Sequence, residues 1–336
     1  MFILFSASIF VKLIIHILHI HITDMRYTLR QLEIFVAIAR TGNVSRAAEE
    51  VALSQSAAST ALAELERQFD CQLFDRNGKL LKLNALGKTL LPVASSLLTQ
   101  AGEIQQLLEG KSALGDLNVG ATLTIGNYLA IMIISEFMQN HLDCHIALQV
   151  KNTQAILQQV AGYELDLGLI EGSCHHPELQ AETWIEDELA VFCAPTHPLA
   201  QLESVSLEEL LTATWILREQ GSGTRETFDQ ALRHHLPELK IRLELEHTEA
   251  IKRAVESGLG IGCISRLALR DAFKRGSLVE INMPLLDLRR QFMFVWHKNR
   301  YQTPAMIAFL DYCRTLTANL KRSDEILLTP TTTLTT

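Results

Sequence analysis

The sequence lacks the paired cysteines that a disulfide framework or a structural zinc site would need. Six cysteines are scattered over 336 residues, and no two of them form a C-x-x-C pair. Closely spaced cysteines hold zinc knuckles and small secreted domains together, whereas isolated ones indicate free thiols. We therefore expect a protein of a reducing compartment, the cytoplasm.

Also missing is any nucleophile with a base, or any set of metal ligands, that would indicate an enzyme. Cys174, His175 and His176 are adjacent, but three consecutive residues cannot all face one ion unaided, so a surface loop is a plainer interpretation than a metal or redox site. The glycines within residues 258–262 precede an apolar strand and do not open a helix after one, so they are not a dinucleotide fingerprint. We predict neither catalysis nor a cofactor.

A positive charge excess is missing from the chain as a whole, which carries a formal charge of -8. The sign nevertheless changes along the sequence. Residues 25–90 hold nine lysines and arginines against seven acidic residues, and residues 91–336 carry the negative balance. A mildly basic head on an acidic body is compatible with phosphate contacts made by the head alone.

One long apolar run is present, at residues 1–23, but it lacks the other marks of a targeting segment. No positive charge precedes it, no small-residue cleavage site follows it, and Lys12 lies in its middle. We interpret residues 1–24 as a mis-assigned start or an apolar extension, with Met25 as the expected first residue and no membrane partner. The alternative is an anchor or an export signal.

Residues 25–84 have the pattern of a small helical domain followed by a hairpin. Apolar residues at helical spacing predict three helices and extended pieces predict two strands, over 29–40, 44–51 and 54–69 and over 72–75 and 80–83. A polar face at the start of the third helix is what reading the major groove of double-stranded DNA requires, and a basic hairpin tip suits phosphate. The predicted DNA-binding residues are Arg46, Ser54, Gln55, Ser56, Ser59, Thr60, Arg76 and Lys79.

Residues 85–113 are the predicted linker helix. Its apolar residues alternate spacings of four and three, at Leu90, Ala94, Leu97, Ala101, Ile104 and Leu108. This spacing is a coiled-coil seam, so a homodimer is the economical interpretation. Packing of the seam on the chain's own body is the alternative, and Pro92 is expected to kink the helix near its beginning.

Residues 114–322 alternate short apolar strands with helices, which predicts βαβ units, mainly parallel sheets and an α/β fold. Small polar residues follow several of these strands at helix starts, where free N–H groups favour an anion and where ligands bind in open α/β sheets. We expect a small anionic effector there, although ordinary helix capping by Ser and Thr is the alternative. The predicted effector-binding residues are Thr122, Thr124, Asn152, Thr153, Glu171, Ser222, Gly223, Thr224 and Arg225. Residues 323–336 are predicted to be a disordered tail.

The head also carries a recognisable signature. The motifs S-R-A-A, L-S-Q-S-A-x-S, L-E and L-F-D-R occur within residues 45–76 in the order and spacing of the LysR-type transcriptional regulators, which the chain resembles from about Met25 to Lys321. In the body, the segments TIGNYLA, LGLIEG, ILREQGSGTRE and GLGIGCISR resemble the same family. Residues 1–24 have no counterpart in it.

This resemblance implies an architecture and a function. The architecture is a winged helix-turn-helix, a dimerising linker helix and a two-lobed domain like a type 2 periplasmic binding protein, with lobe 1 at 114–186 and 288–322 and lobe 2 at 187–287. The implied function is promoter binding by a homodimer or homotetramer under control of a small effector. The resemblance places Gln55, Ser56 and Ser59 on the recognition helix and Arg76 and Lys79 in the wing.

Two rival functions remain at the level of the sequence. An exported solute-binding protein would share the fold of the body, and fold alone does not separate it from a regulator. A transport receptor has no use for a helix-turn-helix, a basic hairpin and a dimer helix, so the head favours the regulator. A membrane-anchored regulator would differ only in the use of residues 1–24.

Overall fold

The computed structural model describes residues 25–77, 80–109, 114–284 and 286–326. The chain divides into two compact units, one ending at Gly102 and one beginning at Glu103. The first unit is larger than the predicted head, because Leu90, Ala94 and Leu97 of the following helix join its hydrophobic core. The predicted segment 1–24 lies outside the described residues. None of the described helices is long and apolar enough to cross a membrane.

The first unit contains three helices, an antiparallel hairpin and the part of a long helix that precedes Glu103. Their bounds are α1 Leu29–Thr41, α2 Val44–Glu50, α3 Gln55–Gln68, β1 Phe74–Asn77, β2 Leu80–Leu83 and α4 Ala85–Leu108. Polar caps fix where the first three helices begin. Thr28 and Gln31 form a capping box, Asn43 accepts from two N–H groups of α2, and Ser54 accepts from the Ala57 N–H.

Strand β1 lies two residues later than predicted. The N–H of Leu73 donates to the Glu66 carboxylate over 2.8 Å, and its carbonyl accepts from Asn84, so Leu73 is bonded outside the hairpin ladder. The ladder therefore begins at Phe74. Arg76 pairs with Leu81 within the hairpin. It therefore lies in the strand and not in the turn, where the sequence had predicted it.

The two halves of the predicted apolar seam on helix α4 differ in their exposure. Its first half buries Ala94 to 1% exposure and packs Leu90 and Leu97 against the core of α1 to α3. Its second half leaves Ile104 59% and Leu108 84% exposed. The helix continues through Pro92, where a kink was expected. Packing on the chain itself thus accounts for the beginning of the seam, and its end is an exposed apolar stripe.

Among the described residues of the second unit, nine strands form one sheet, eight of them in a continuous order, with helices between them. Its strands are β3 Leu117–Thr122, β4 Ile146–Lys151, β5 Leu167–Glu171, β6 Leu179–Cys193, β7 Thr214–Arg218, β8 Lys240–Leu245, β9 Ile261–Ser265, β10 Val279–Glu280 and β11 Arg289–His297. Its main helices are α5 Leu123–Ile125, α6 Ile131–Asn140, α7 Thr153–Ala161, α8 Leu207–Thr212, α9 Gly223–Ala231, α10 Thr248–Glu256, α11 Arg266–Arg275 and α12 Pro304–Thr317, with a π-helical turn at Gly126–Ala130. The strand order is β4-β3-β5-β11-β6-β9-β7-β8, and β10 pairs with β6.

Two lobes result because the long strand β6 changes partner along its length. Residues 179–188 of β6 pair with β11, and residues 189–192 pair with β9. Lobe 1 therefore comprises β3, β4, β5, β11 and the first part of β6, and lobe 2 comprises the remainder of the sheet. Within each lobe the neighbouring strands β3 to β5 and β7 to β9 run parallel. The predicted fold class is α/β, and this is the arrangement found.

The segment that follows α12 corrects one prediction. A disordered tail was expected from residue 323, but Ser323–Glu325 form a 3-10 turn. Ser323 is fully buried and donates to the Asp187 carboxylate over 2.5 Å, and Ile326 is 4% exposed. A buried hydrogen bond and a buried apolar side chain hold this turn in place. Residues 327–336 lie outside the described residues.

Candidate functional site

Helix α3, the predicted recognition helix, has an apolar face and a polar one. Ala58, Leu62 and Leu65 are buried in the core. Gln55, Ser56, Ser59 and Thr60 are all exposed. Ser54 caps the helix, and its Oγ lies 3.0 Å from Ser56 Oγ. The helix therefore offers amide and hydroxyl groups to a partner along the face that the sequence predicted.

The arginines of the helices differ in their availability. Arg30, Arg40 and Arg67 form ion pairs with glutamates of the same unit. Arg46 on α2 is exposed and takes part in no ion pair among the described residues. Its side chain is therefore accessible from the solvent. Lys79 of the hairpin lies outside the described residues, and for Arg76 only the backbone pairing is described.

In the second unit, one carboxylate collects hydrogen bonds from three separate elements. Glu171 ends β5 and is 1% exposed. The backbone N–H of Thr124, in the first turn after β3, donates to its Oε1 over 2.7 Å. The hydroxyl of Thr224, on α9 of lobe 2, donates to its Oε2 over 3.1 Å. The Nη1 of Arg290, on β11, lies 2.8 Å from the same Oε2.

The charge of Glu171 is strongly stabilised. Burial by itself raises the pKa of this carboxyl group. Arg290 and Arg218 oppose that effect more strongly, aided by hydrogen bonds from Thr124 and Thr122. The net result lowers the pKa to about 2, so the group is ionised at neutral pH. We call Glu171 and the three residues that donate to it, Thr124, Thr224 and Arg290, the crevice cluster.

Arg290 is the cation that the sequence interpretation missed. Its side chain is 2% exposed, and its Nε donates to the Asp187 carboxylate over 2.7 Å. It therefore lies between two buried carboxylates. The signal available in the sequence was the pair of arginines at the start of β11, a largely apolar strand. A buried charge without a partner is energetically unfavourable, so such an arginine indicates a buried carboxylate nearby.

Arg225 does not fill the role predicted for it. Its Nε donates to Asp229 over 2.7 Å, and its Nη1 donates to Glu244 over 3.0 Å and to the Arg218 carbonyl. Successive residues of a helix point about 100° apart around its axis. Because Thr224 faces the crevice cluster, Arg225 is directed into the acidic groups of lobe 2.

Other predicted effector residues act as ordinary caps. Asn152 accepts from the Ala155 N–H over 3.0 Å, and Ser222 accepts from the Arg225 N–H over 3.0 Å. Thr122 is 2% exposed and lies beside the cluster, with its hydroxyl directed at the Leu169 carbonyl over 3.5 Å. The capping alternative thus describes Asn152 and Ser222, and the threonines at 122, 124 and 224 surround Glu171.

The two lobes touch directly at the crevice. The N–H of Gly223 donates to Thr153 Oγ1 over 3.0 Å, and the N–H of Gln154 donates to the Gly221 carbonyl over 3.2 Å. A Cβ on Gly223 would lie 2.1 Å from the carbonyl oxygen of Glu171. Only glycine fits at this contact. Thr153, Glu171, Gly223 and Thr224 are therefore together, as predicted, but the space between them is filled by the protein.

Two cavities border this closed contact. One of about 370 Å³ is lined by Asn127, Lys151, Asn152, Glu219 and His247, among others. A larger one of about 820 Å³ has Thr153, Ser222 and the adjacent His175 and His176 in its wall. A third cavity, of about 510 Å³, has Arg290 of the crevice cluster in its wall.

Comparisons with known proteins agree with this architecture. Residues 29–88 match the model of the bacterial regulatory helix-turn-helix proteins of the lysR family, and residues 110–318 match that of the LysR substrate binding domain. The chain is 45% identical over 289 residues to the HTH-type transcriptional regulator YeiE of Escherichia coli strain K12, covering 86% of this chain and 98% of YeiE. It is 30% identical to the RuBisCO operon transcriptional regulator of Allochromatium vinosum, over 86% and 96% of the two chains. These relatives are transcription regulators and not enzymes, as the sequence predicted.

Solved structures show the same fold. Full-length OxyR of Pseudomonas aeruginosa has a TM-score of 0.64 at 23% identity and matches 85% of this chain and 94% of its own. The regulatory domain of Synechocystis CcmR, in complex with 2-PG, has a TM-score of 0.58 at 26% identity over 61% of this chain and 99% of its own. The predicted fold class, a winged helix-turn-helix with a two-lobed α/β domain, is confirmed. The chain belongs to the LysR family of DNA-binding transcriptional regulators with an effector-binding domain.

Proposed function

We propose that this regulator alters its promoter binding in response to a small anion bound between the two lobes of its second unit. The observation that carries the proposal is the crevice cluster, in which a backbone N–H, a hydroxyl and a guanidinium surround a negatively charged group. Such donors stabilise anions in a buried site. Solved relatives of similar fold with 2-PG and with shikimate support a small ligand at this domain.

The DNA partner is read by α3. Gln55 can pair with a base edge, and Ser56, Ser59 and Thr60 can reach bases or phosphates. Arg46 supplies a charge to the phosphate backbone. The exposed end of the seam on α4 supports a homodimer or homotetramer, whose paired heads would meet two half-sites. The scattered free thiols support a cytoplasmic location.

The effector acts by favouring one arrangement of the lobes over another. A ligand shifts a conformational equilibrium only by its difference in affinity for the two states. Thr224 and Gly223 belong to lobe 2, and Thr124, Thr153 and Glu171 belong to lobe 1, so an anion at this point would contact both. Its binding would then change how the paired heads engage DNA.

The proposal is tested by capturing sheared genomic DNA with the purified full chain. The enriched sites are then footprinted at two salt concentrations, with and without a panel of small anions. Thr224→Ala removes a crevice hydroxyl, and Thr212→Ala removes an exposed hydroxyl elsewhere in lobe 2 as the control. Protected sites with dyad symmetry that shift with one anion, in the control but not in Thr224→Ala, support the proposal. Tight anion binding without any DNA enrichment would instead favour a solute-binding protein.

A further inference from the structure

We propose that Tyr128 is a positioning residue of the second unit, which limits how far the two lobes separate through a contact outside the crevice cluster. Its partners are Glu249 and Lys252 of α10, and we call these three residues the interlobe strap. The inference goes beyond the proposed function, because it concerns the movement of the lobes themselves and its test needs no effector.

The first argument is that the strap crosses from one lobe to the other. Tyr128 lies in the π-helical turn of lobe 1, and its hydroxyl donates to the Glu249 carboxylate of lobe 2. The same tyrosine packs against the hydrophobic cores of both lobes. These contacts do not involve Glu171 or Gly223, so the strap joins the lobes at a second place.

The second argument is the burial of a lysine beside this contact. Lys252 is only 7% exposed, and a buried ammonium group needs partners. Its Nζ donates to Glu249 over 2.7 Å and to the Ala268 carbonyl over 3.1 Å. It also lies 5.6 Å from the centre of the Tyr128 ring, whose face attracts a cation. Tyr128 therefore contacts both members of an ion pair of the other lobe, one through its hydroxyl and one through its ring.

The third argument is that the strap can be released and formed again. Lys252 and Glu249 lie on the same helix, so their ion pair remains when the lobes part. The side chain of Glu249 is 59% exposed, so water can replace the tyrosine hydroxyl there. Burial raises the pKa of the Glu249 carboxyl group, but hydrogen bonds from Lys252 and Tyr128 lower it overall, so the acceptor is charged at neutral pH. A hydrogen bond to a charged acceptor is strong enough to favour the joined lobes and weak enough to break without unfolding.

The fourth argument is the connection between the strap and the crevice cluster. Helix α5 and the π-helical turn follow each other without a break, so Thr124 and Tyr128 lie four residues apart on one helical segment. A Cβ on Gly126, between them, would lie 2.7 Å from a methyl carbon of Val150, so this segment packs closely on β4. π-helical turns are rare and often occur at functional sites. A shift of Tyr128 should therefore also move Thr124, which donates to Glu171.

The test is hydrogen–deuterium exchange of the full chain without any effector, read by mass spectrometry on the peptide that contains Gly223. The N–H of Gly223 donates across the crevice to Thr153, so its exchange reports the separation of the lobes. Tyr128→Phe keeps the ring and removes only the hydroxyl. Tyr163→Phe is the matched control, because that hydroxyl lies 2.7 Å from His297 Nδ1 within lobe 1.

We expect exchange at Gly223 to be at least about fivefold faster in Tyr128→Phe, which is the effect of losing one hydrogen bond. Exchange at Gly223 in Tyr163→Phe, and exchange of the β3 amides in either variant, should equal that of wild type. Equal exchange at Gly223 in Tyr128→Phe and wild type would overturn the proposal. Faster exchange in β3 as well would also overturn it, because the hydroxyl would then stabilise the fold in general and not the position of the lobes.

A double-mutant cycle gives the second measurement. Glu249→Gln keeps an acceptor oxygen but removes the charge, so exchange at Gly223 should again be faster. The double variant Tyr128→Phe/Glu249→Gln should exchange no faster than the faster single variant, because both changes break one contact. Additive increases would show that the two residues act independently and would refute the strap. Both measurements are made without an anion, so failure of the anionic effector would leave the strap in place.

Discussion

At the scale of single residues, the ionised carboxylate of Glu171 makes the stability of the second unit depend on pH. Its pKa is lowered to about 2 in the folded protein from an ordinary value of 4.5. A carboxylate with a lowered pKa contributes stability above the unfolded value, and this contribution is lost as the pH falls through the folded value. We therefore expect the urea-unfolding free energy of wild type to fall more steeply than that of Glu171→Gln between about pH 4.5 and pH 2. Parallel curves for the two proteins would show that the charge of Glu171 does not stabilise the fold.

Gly223 gives a second prediction at this scale. A Cβ at this position would lie 2.1 Å from the Glu171 carbonyl oxygen, so Gly223→Ala must push the lobes apart. Overpacking of this kind destabilises proteins by about 1–3 kcal/mol. Gly102→Ala on α4 is the control, because nothing lies within 4 Å of the added Cβ and a helical alanine is favourable. Equal melting temperatures for Gly223→Ala and wild type would contradict the closed contact.

At the scale of elements, α3 is predicted to supply the specificity for DNA. Gln55→Ala removes an exposed amide from the start of the helix, and we expect a loss of about 1–3 kcal/mol in binding to the preferred site. Binding to unrelated DNA should change little, since phosphate contacts remain. Gln201→Ala, an exposed glutamine in the second unit, is the control for both measurements. A uniform loss on all DNA sequences would place Gln55 at phosphate and not at a base.

Helix α4 carries the prediction for assembly. Ile104 and Leu108 remain exposed at the end of the seam, and apolar seams of this spacing pack against a partner helix. Ile104→Glu should therefore weaken self-association by at least tenfold in sedimentation equilibrium. Gln100→Glu adds the same charge to an exposed residue of the same helix. Unchanged association of Ile104→Glu, with the control unchanged as well, would place the assembly surface elsewhere.

Elements with strong local signals could be predicted from the sequence, and long-range pairs could not. Thr28, Asn43 and Ser54 mark the helix starts because capping is decided by a few neighbouring residues. Thr124, Glu171 and Thr224 were found because helix starts and strand ends meet at one edge of an α/β sheet. The bond between Arg290 and Glu171 joins β11 to β5 and has no local signature. The same limit applies to Arg225, whose partners Asp229 and Glu244 decide its direction.

At the scale of the whole molecule, positive and negative charge are unevenly distributed between the head and the rest of the chain. The chain carries a formal charge of -8, but its head is slightly basic. Binding to DNA releases counterions from phosphate, so its affinity should fall by orders of magnitude between 50 and 200 mM salt, typically by about 10³ to 10⁵ where six to ten phosphates are contacted. Arg46→Ala should reduce the slope of that dependence by about one. An affinity that is independent of salt would argue against phosphate contacts by the head.

The buried turn at Ser323 connects the end of the described chain to the crevice cluster. Ser323 donates to Asp187, Asp187 pairs with Arg290, and Arg290 holds Glu171, so four side chains run in an unbroken line from the C-terminal turn to the crevice. An affinity tag or a truncation is usually placed at a chain terminus on the assumption that it is remote from function. In this protein, a cut after residue 322 would remove the Ser323 donor from the buried Asp187 carboxylate, next to the proposed effector site, so tags belong beyond Ile326.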